Sequence, residues 1–119
     1  MNALLRLENP PSAVFLFNDL MALGAMRAIK NSGKQIPEDI SIVGFDNISL
    51  STLVNPQLTT ISQPIEKMAE HSVELLVEKI QLKEDQKRQK ELQPEYQRIL
   101  LDIELIVRGS TAEFGSTQN

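Results

Sequence analysis

The sequence predicts an α/β protein in which helices flank a parallel β-sheet. Two short apolar runs, 13–17 and 40–45, are separated by a segment with helical periodicity over 18–32. Short apolar runs, of which 13–17 is continuous, are typical of strands that are buried on both faces. A strand, a helix and a second strand joined by short links form a βαβ unit, whose crossover is right-handed in nearly all proteins.

The helix over 18–32 has recognisable signals at both ends. Asn18 and Asp19 suit a helix N-terminus because a side-chain oxygen can accept a free backbone N–H and a carboxylate complements the helix dipole. Gly33 supplies the C-terminal stop. The apolar face that we expect to pack on the sheet consists of Ala22, Ala25, Met26 and Ile29.

Further elements lie on both sides of this unit. Leucines in 2–8 predict the end of a helix, and the β-rich stretch 58–62 predicts a strand. Pro64 suits the first turn of a long helix over 65–82. The β-branched residues of 98–108 predict a strand within that range. At 119 residues, the chain is one domain or part of one.

Composition excludes several classes of function. The chain has a net charge of −4, no cysteine and one histidine, His71. Thiolate and His-rich metal sites are therefore excluded, and an acidic chain is poorly suited to contacting DNA itself. No catalytic triad, paired-carboxylate spacing or glycine-rich nucleotide loop is present, so we expect no enzyme activity and no cofactor or metal. No membrane span or signal peptide is visible, which predicts a cytoplasmic protein without a membrane partner.

Polar side chains stand where predicted strands end. Asn18, Asp19 and Asp46 each follow an apolar run. In parallel α/β sheets, ligands bind in the crevice beyond the carboxyl ends of the strands. Amides and carboxylates hydrogen-bond hydroxyl groups well, so these side chains suit a sugar-like ligand.

A purely structural role for these residues stays open on local sequence alone. Asn18 and Asp19 would then only cap the helix, and Asp46 would only begin a turn. Gln63 is either a third polar ligand after the 58–62 strand or an ordinary residue before a proline. His71, with no second ligand or nucleophile near it in the sequence, is expected at or near the surface.

Four blocks of the sequence carry a family resemblance. They occur in order between about residues 11 and 111, and they read PSAVFLFNDLMALGAMRAIKNSG, IPEDISIVGFDN, NPQLTTISQP and LIVRGST. Together they closely resemble the C-terminal part of regulators of the lactose-repressor/purine-repressor family. Such regulators contact DNA through an N-terminal helix-turn-helix domain, to which nothing in this sequence corresponds.

The resemblance implies a partial periplasmic-binding-protein-like fold of type I, in which the chain crosses between two lobes. Residues 1–62 and a return strand at 102–111 would belong to the C-terminal lobe. Residues 63–101 would belong to the N-terminal lobe, and 112–119 would form a polar tail.

The resemblance also implies a ligand and a set of residues that bind it. Effectors in this family are mostly sugars, sugar phosphates or purines, and they bind in the cleft between the lobes. Carried over position by position, the ligand-binding residues are Asn18, Asp46, Gln63 and Ile65. Asp46 is the strongest of these, since a carboxylate at this position typically accepts hydrogen bonds from a pair of ligand hydroxyls.

A dimer or higher oligomer is expected for two reasons. By resemblance, the helix that begins at the Asn18 block and the loop after Asp46 form part of a dimer face, with contacts from Leu23, Met26, Arg27, Leu53 and Val54. In addition, the apolar stripe of the 65–82 helix lacks its usual partner in this chain. We therefore expect the isolated chain to associate rather than form a stable monomer.

Three other functions compete with an effector-sensing segment of a transcriptional regulator. Sugar-binding proteins of transport systems share the fold of these regulators. The segments IPEDISIVGFDN and LIVRGST, however, are more similar to regulators than to transport proteins. An unrelated binding module would require four ordered blocks to match by chance. An enzyme would require a nucleophile constellation that the sequence does not provide.

Overall fold

The chain forms four strands, three α-helices and one 3-10 helix in the part that is described. A computed structural model describes residues 1–86 and 97–113. In chain order the elements are α1 (Asn2–Leu5), β1 (Ala13–Phe15), α2 (Asp19–Asn31), β2 (Ser41–Phe45), the 3-10 helix (Ser49–Thr52), β3 (Thr59–Ser62), α3 (Ile65–Gln86) and β4 (Glu104–Ile106).

The strands form one mixed sheet in the order β1-β2-β3-β4. The pairs β1–β2 and β2–β3 are parallel, with Val14 opposite Ile42 and Gly44 opposite Thr60. The predicted α/β fold and its parallel βαβ unit are therefore confirmed. Local sequence does not indicate a direction for the last strand, which pairs antiparallel to β3.

Helix α2 begins and ends as its sequence predicts. Asn18 is the N-cap, and its side-chain oxygen accepts a hydrogen bond from the Met21 backbone N–H at 2.8 Å. Lys30 lies in the last turn, where a cation complements the helix dipole. Gly33 then adopts φ +80°, a left-handed conformation that glycine reaches without a steric penalty.

The core lies between α2 and the sheet. The predicted apolar face of α2 is buried, and it packs against side chains from β2 and from the links at either side. The buried hydrophobic cluster consists of Ala22, Met26, Ile29, Ile36, Ile40, Ile42 and Leu58. Each fully buried Ile or Leu contributes about 1.5–3 kcal/mol to folding, so this cluster fixes the position of α2 on the sheet.

Several element bounds differ from the sequence prediction. Strand β1 ends at Phe15 rather than residue 17, although the Leu16 backbone N–H still donates to the Val43 carbonyl at 2.9 Å. Helix α3 continues to Gln86, beyond the predicted residue 82. Strand β4 covers only three residues of the predicted 98–108 range, because only Thr60, Ile61 and Ser62 of β3 pair with it.

The chain divides into two compact units. The first unit contains Met1–Gln63 and the chain from Ile103 onward, and the second is Pro64–Asp102. The chain therefore leaves the first unit at the end of β3 and returns just before β4. The assignment of 1–62 and 102–111 to one lobe and 63–101 to another stays a prediction. Of the predicted tail, 112–119, only the first two residues lie among those described.

Helix α3 begins directly after Pro64, whose carbonyl accepts a hydrogen bond from the Met68 N–H at 3.0 Å. The His71 side chain lies 3.2 Å from the Glu74 carboxylate. It is 40% exposed, so it is at the surface of the helix as expected. Among the described residues, no helix has both the length and the apolar character needed to cross a membrane.

Candidate functional site

The turn after β2 has an unusual backbone. Asp46 has φ 105° and Asn47 has φ 53°, both in the left-handed region. Such values are uncommon for residues other than glycine, and Asn and Asp adopt them more readily than other side chains. The surrounding structure must therefore hold this turn in place.

Hydrogen bonds that the turn donates to β3 provide part of that support. The Asp46 N–H donates to the Ile61 carbonyl at 2.9 Å, and the Asn47 N–H donates to the Thr60 hydroxyl oxygen at 3.3 Å. The side-chain nitrogen of Asn47, Nδ2, also donates to the Ser62 hydroxyl at 3.3 Å. The turn is thus bound along the length of the neighbouring strand.

The Asp19 carboxylate accepts two further hydrogen bonds, and one of them links the turn to α2. Its Oδ2 accepts from the Ile48 N–H at 2.9 Å, and its Oδ1 accepts from the Thr60 hydroxyl at 2.5 Å. Asp19 is fully buried, and both of its carboxylate oxygens accept hydrogen bonds from other groups of the protein. This settles the open choice for Asp19 in favour of a structural role at the start of α2 and in the turn.

Gly44 allows this buried carboxylate to approach β2. A Cβ atom at position 44 would overlap Asp19 Oδ1 and would lie 3.0 Å from Leu58 Cδ2. The overlap is far closer than a non-bonded contact allows, so glycine is required by space here. The VGFD stretch therefore needs its glycine for packing on Asp19.

Asp46 and Gln63 are brought together at the ends of β2 and β3. Gln63 Nε2 donates to Asp46 Oδ1 at 3.0 Å. The Asp46 side chain is exposed and Gln63 is half-buried. A carboxylate has about four acceptor positions, so a single bond from Gln63 leaves capacity for ligand hydroxyls, and the Gln63 carbonyl oxygen is a further acceptor.

The other two predicted ligand residues are placed differently. Asn18 is half-buried and caps α2 through its oxygen, while its amide nitrogen is a donor that a ligand oxygen can use. Ile65 is the first residue of α3, in the second unit, and its side chain is 57% exposed. Neither placement tests a role in ligand binding.

The predicted dimer residues surround a shallow depression. A depression of about 260 Å³ is lined by Leu23, Met26, Arg27, Lys30, Asn31, Val54 and Asn55. Leu53, beside it in the chain, is 77% exposed, whereas Met26 is 4% exposed and belongs to the core. The Lys30 ammonium donates to the Asn55 carbonyl and links α2 to the loop. The dimer contact itself stays a prediction.

Sequence reasoning missed Arg108 and Asn47 as parts of this region. Arg108 Nη2 donates to Asn47 Oδ1 at 2.7 Å, and Nη1 donates to the Ser51 hydroxyl and the Leu58 carbonyl, each at 2.8 Å. The available signal was a charged residue that directly follows the apolar run 105–107. A cation at the end of a strand needs hydrogen-bond acceptors nearby, but the sequence does not identify them.

Comparisons with known proteins identify the family of this chain. Residues 1–111 match the family described as periplasmic binding protein-like domain. The HTH-type transcriptional repressor PurR of Aliivibrio salmonicida is 47% identical over 92 residues, which are 77% of this chain and 28% of that protein. The chain thus spans little more than a quarter of this curated relative.

Two solved structures are similar over most of the chain. A LacI family transcriptional regulator from Enterococcus faecium with bound ribose has 37% identity and a TM-score of 0.71, covering 88% of this chain and 36% of that one. A LacI family regulator from Arthrobacter sp. FB24 in complex with lactose has 34% identity and a TM-score of 0.73, covering 92% and 38%.

Proposed function

The chain belongs to the periplasmic binding protein-like domain family, and from that premise we propose that it is the effector-sensing segment of a DNA-binding transcriptional regulator. The observation that carries the proposal is the Asp46–Gln63 pair, which lies at the ends of adjacent parallel strands. This is where α/β sheets bind ligands. The similarity to a transcriptional repressor favours a regulator over a transport protein.

The effector class that fits the pair is a small molecule rich in hydroxyl groups, such as a sugar or sugar phosphate. Asp46 would accept hydrogen bonds from ligand hydroxyls while Gln63 holds one carboxylate oxygen. Purines stay within the class by resemblance, since Gln63 can both donate and accept. Ribose and lactose occupy the two similar regulators, which supports testing sugars first.

The roles of the remaining site residues follow from their placement. Asn18 would donate from its amide nitrogen to a ligand oxygen, and Ile65 would supply an apolar contact from the start of α3. No residue of the site is assigned a catalytic role. Binding alone would be the activity of this segment.

The working assembly would be a cytoplasmic homodimer. We propose that the shallow depression receives apolar side chains of a second copy, which would contact Leu23 and Val54 in its lining and the exposed Leu53 next to Val54 in the chain. DNA would be contacted through another domain of the regulator. The present chain carries a net charge of −4, which does not favour direct phosphate contacts.

The proposal is tested by titrating the full-length protein with ribose, lactose, cellobiose, ribose 5-phosphate and hypoxanthine in a calorimeter. At least one compound should bind in the millimolar range or tighter, and it should change the affinity of the protein for its operator DNA. If no compound binds and the operator affinity never changes, the proposal is wrong for these effector classes.

A further inference from the structure

Arg108 connects three separate parts of the first unit. It lies two residues after β4, and its backbone N–H donates to the Thr59 hydroxyl oxygen at 2.9 Å. The guanidinium group then reaches the Ser51 hydroxyl, the Leu58 carbonyl and the Asn47 side chain. A guanidinium has five N–H donors in a fixed fork, so these bonds also fix their acceptors relative to one another.

The Asn47 side chain is held at both of its polar atoms. Its oxygen accepts from Arg108 at 2.7 Å, and its nitrogen donates to the Ser62 hydroxyl at 3.3 Å. The bond from Arg108 is the shorter of the two, and its donor is the positively charged guanidinium group. Charge-assisted hydrogen bonds are about twice as strong as neutral ones. Arg108 is therefore the main constraint on this side chain.

The conformation of Asn47 is coupled to that of Asp46 through the backbone. The two residues share a peptide bond, and both have positive φ. Such a turn persists only where contacts outside it offset its backbone strain. Releasing the Asn47 side chain would let the turn relax, and the Asp46 carboxylate would leave its position beside Gln63.

We infer that Arg108 is a positioning residue for the Asp46 carboxylate, acting through the side chain of Asn47. The part of this inference that concerns ligand affinity rests on the proposed function. The part that concerns the order of the 46–48 turn does not, because it follows from hydrogen bonds within the protein.

The first test measures amide hydrogen exchange in the full-length protein carrying Arg108→Met, which keeps an unbranched apolar stem and removes the guanidinium bonds. Exchange at Asp46, Asn47 and Ile48 should become at least about fivefold faster, while the amides of α2 keep their rates. Thr111→Val is the matched control, because it removes the 2.9 Å bond to Thr59 in the same segment without touching the turn.

A second variant keeps the inference testable if Arg108→Met does not fold. Asn47→Gly allows the positive φ and removes both side-chain bonds, so it should give the same local increase in exchange. Unchanged exchange over 46–48, or an equal increase over the whole protein, would overturn the inference.

The second test is a double-mutant cycle on ligand affinity, using whichever of ribose, lactose, cellobiose, ribose 5-phosphate or hypoxanthine binds the unsubstituted protein. Arg108→Met should weaken binding by roughly tenfold, the value of one well-placed hydrogen bond to a charged group. In an Asp46→Ala background the same substitution should have little further effect, since its route to the ligand is already removed.

The outcomes separate the two claims. Additive losses in the cycle, or unchanged affinity after Arg108→Met, would overturn the positioning role. If exchange over 46–48 rises as expected but none of the five compounds binds the unsubstituted protein, the positioning of the turn stands and the proposed function fails for these effectors.

Discussion

At the scale of single residues, two aspartates near the ends of neighbouring strands have opposite surroundings. Asp19 is fully buried, and both of its oxygens accept hydrogen bonds from the protein. Asp46 is exposed and receives one described bond, from Gln63. The Asp19 carboxylate therefore stabilises the turn, and the Asp46 carboxylate has acceptor positions available to a ligand.

Replacing Asp46 should affect binding much more than folding. Asp46→Ala removes the exposed carboxylate, and each lost hydrogen bond between a charged group and a ligand hydroxyl is worth about 1.5–3 kcal/mol. We expect effector affinity to fall by tenfold or more, while operator affinity without effector stays nearly the same. Calorimetry and DNA titration measure the two quantities.

Glu38→Ala is the charge-matched control, since it removes an exposed carboxylate from the link between α2 and β2. Its effector affinity should equal that of the unsubstituted protein. An Asp46→Ala protein that binds the effector as tightly as this control would contradict the assignment.

Replacing Asp19 should affect folding first. Asp19→Ala leaves the buried Thr60 hydroxyl and the partly buried Ile48 N–H without their acceptor, at about 1–3 kcal/mol for the hydroxyl and less for the N–H. The free energy of unfolding in urea should fall by that sum. Asp39→Ala serves for comparison, because this exposed carboxylate accepts one bond, from the Gln35 N–H at 2.7 Å. An equal loss in both variants would contradict the structural role of Asp19.

At the scale of elements, the sequence predicts what depends on neighbouring residues. The apolar runs and the cap at Asn18 identify β1, α2 and β2, because strand burial and helix capping are local properties. The direction and length of β4 depend on its pairing with β3, which no local pattern records.

The site was predictable to a similar extent. Family resemblance predicts Asp46 and Gln63 as ligand residues, whereas local sequence also allows Asp46 only to begin a turn and Gln63 to be an ordinary residue before Pro64. Two of the bonds that hold the turn join Ile48 to Asp19, 29 positions away, and Asn47 to Arg108, 61 positions away. Contacts over such separations arise only when the sheet has formed.

Two glycines of the first unit should respond oppositely to alanine. Gly44→Ala places a methyl group on Asp19 Oδ1 inside the sheet–helix packing, and such overpacking destabilises by about 1–3 kcal/mol. At Gly24, within α2, no atom beyond the adjoining residues and backbone of the helix itself lies within 4 Å of the place that an added methyl group would occupy. Gly24→Ala should therefore raise stability by about 0.5–1 kcal/mol through helix propensity.

Thermal melting of the two alanine variants under identical conditions checks this contrast. The melting temperature should fall for position 44 and rise for position 24. A fall of equal size in both would mean that the contact with Asp19 does not decide the effect.

At the scale of the whole molecule, much apolar surface of α3 is in contact with solvent. Among the side chains described in this helix, those of residues 65–81, the large apolar ones that are exposed are Ile65, Met68, Val73, Leu76, Val77 and Ile80. Contiguous exposed apolar surface of this kind favours association. Burying each such side chain would contribute about 1.5–3 kcal/mol.

The chain of 119 residues should therefore form dimers or larger species in isolation. Multi-angle light scattering at micromolar concentration measures the mass. Leu76→Glu combined with Ile80→Lys should shift the population toward monomer by placing charges on the stripe. A monomeric mass for the unsubstituted chain, together with cooperative thermal melting, would contradict this expectation.

Helix α3 and the residues after it interrupt two strands that are hydrogen-bonded neighbours. Ser62 lies directly opposite Glu104, so the points where the chain leaves and re-enters the first unit are adjacent. In effect, 64–102 is an insertion at the tip of a β-hairpin. Joining Gln63 to Ile103 through a two-residue Asn-Gly turn, the type such hairpins prefer, should give a shortened protein that keeps the β3–β4 register. Nuclear magnetic resonance contacts between positions 62 and 104 would demonstrate that register, and their absence would show that the inserted residues are needed to form it.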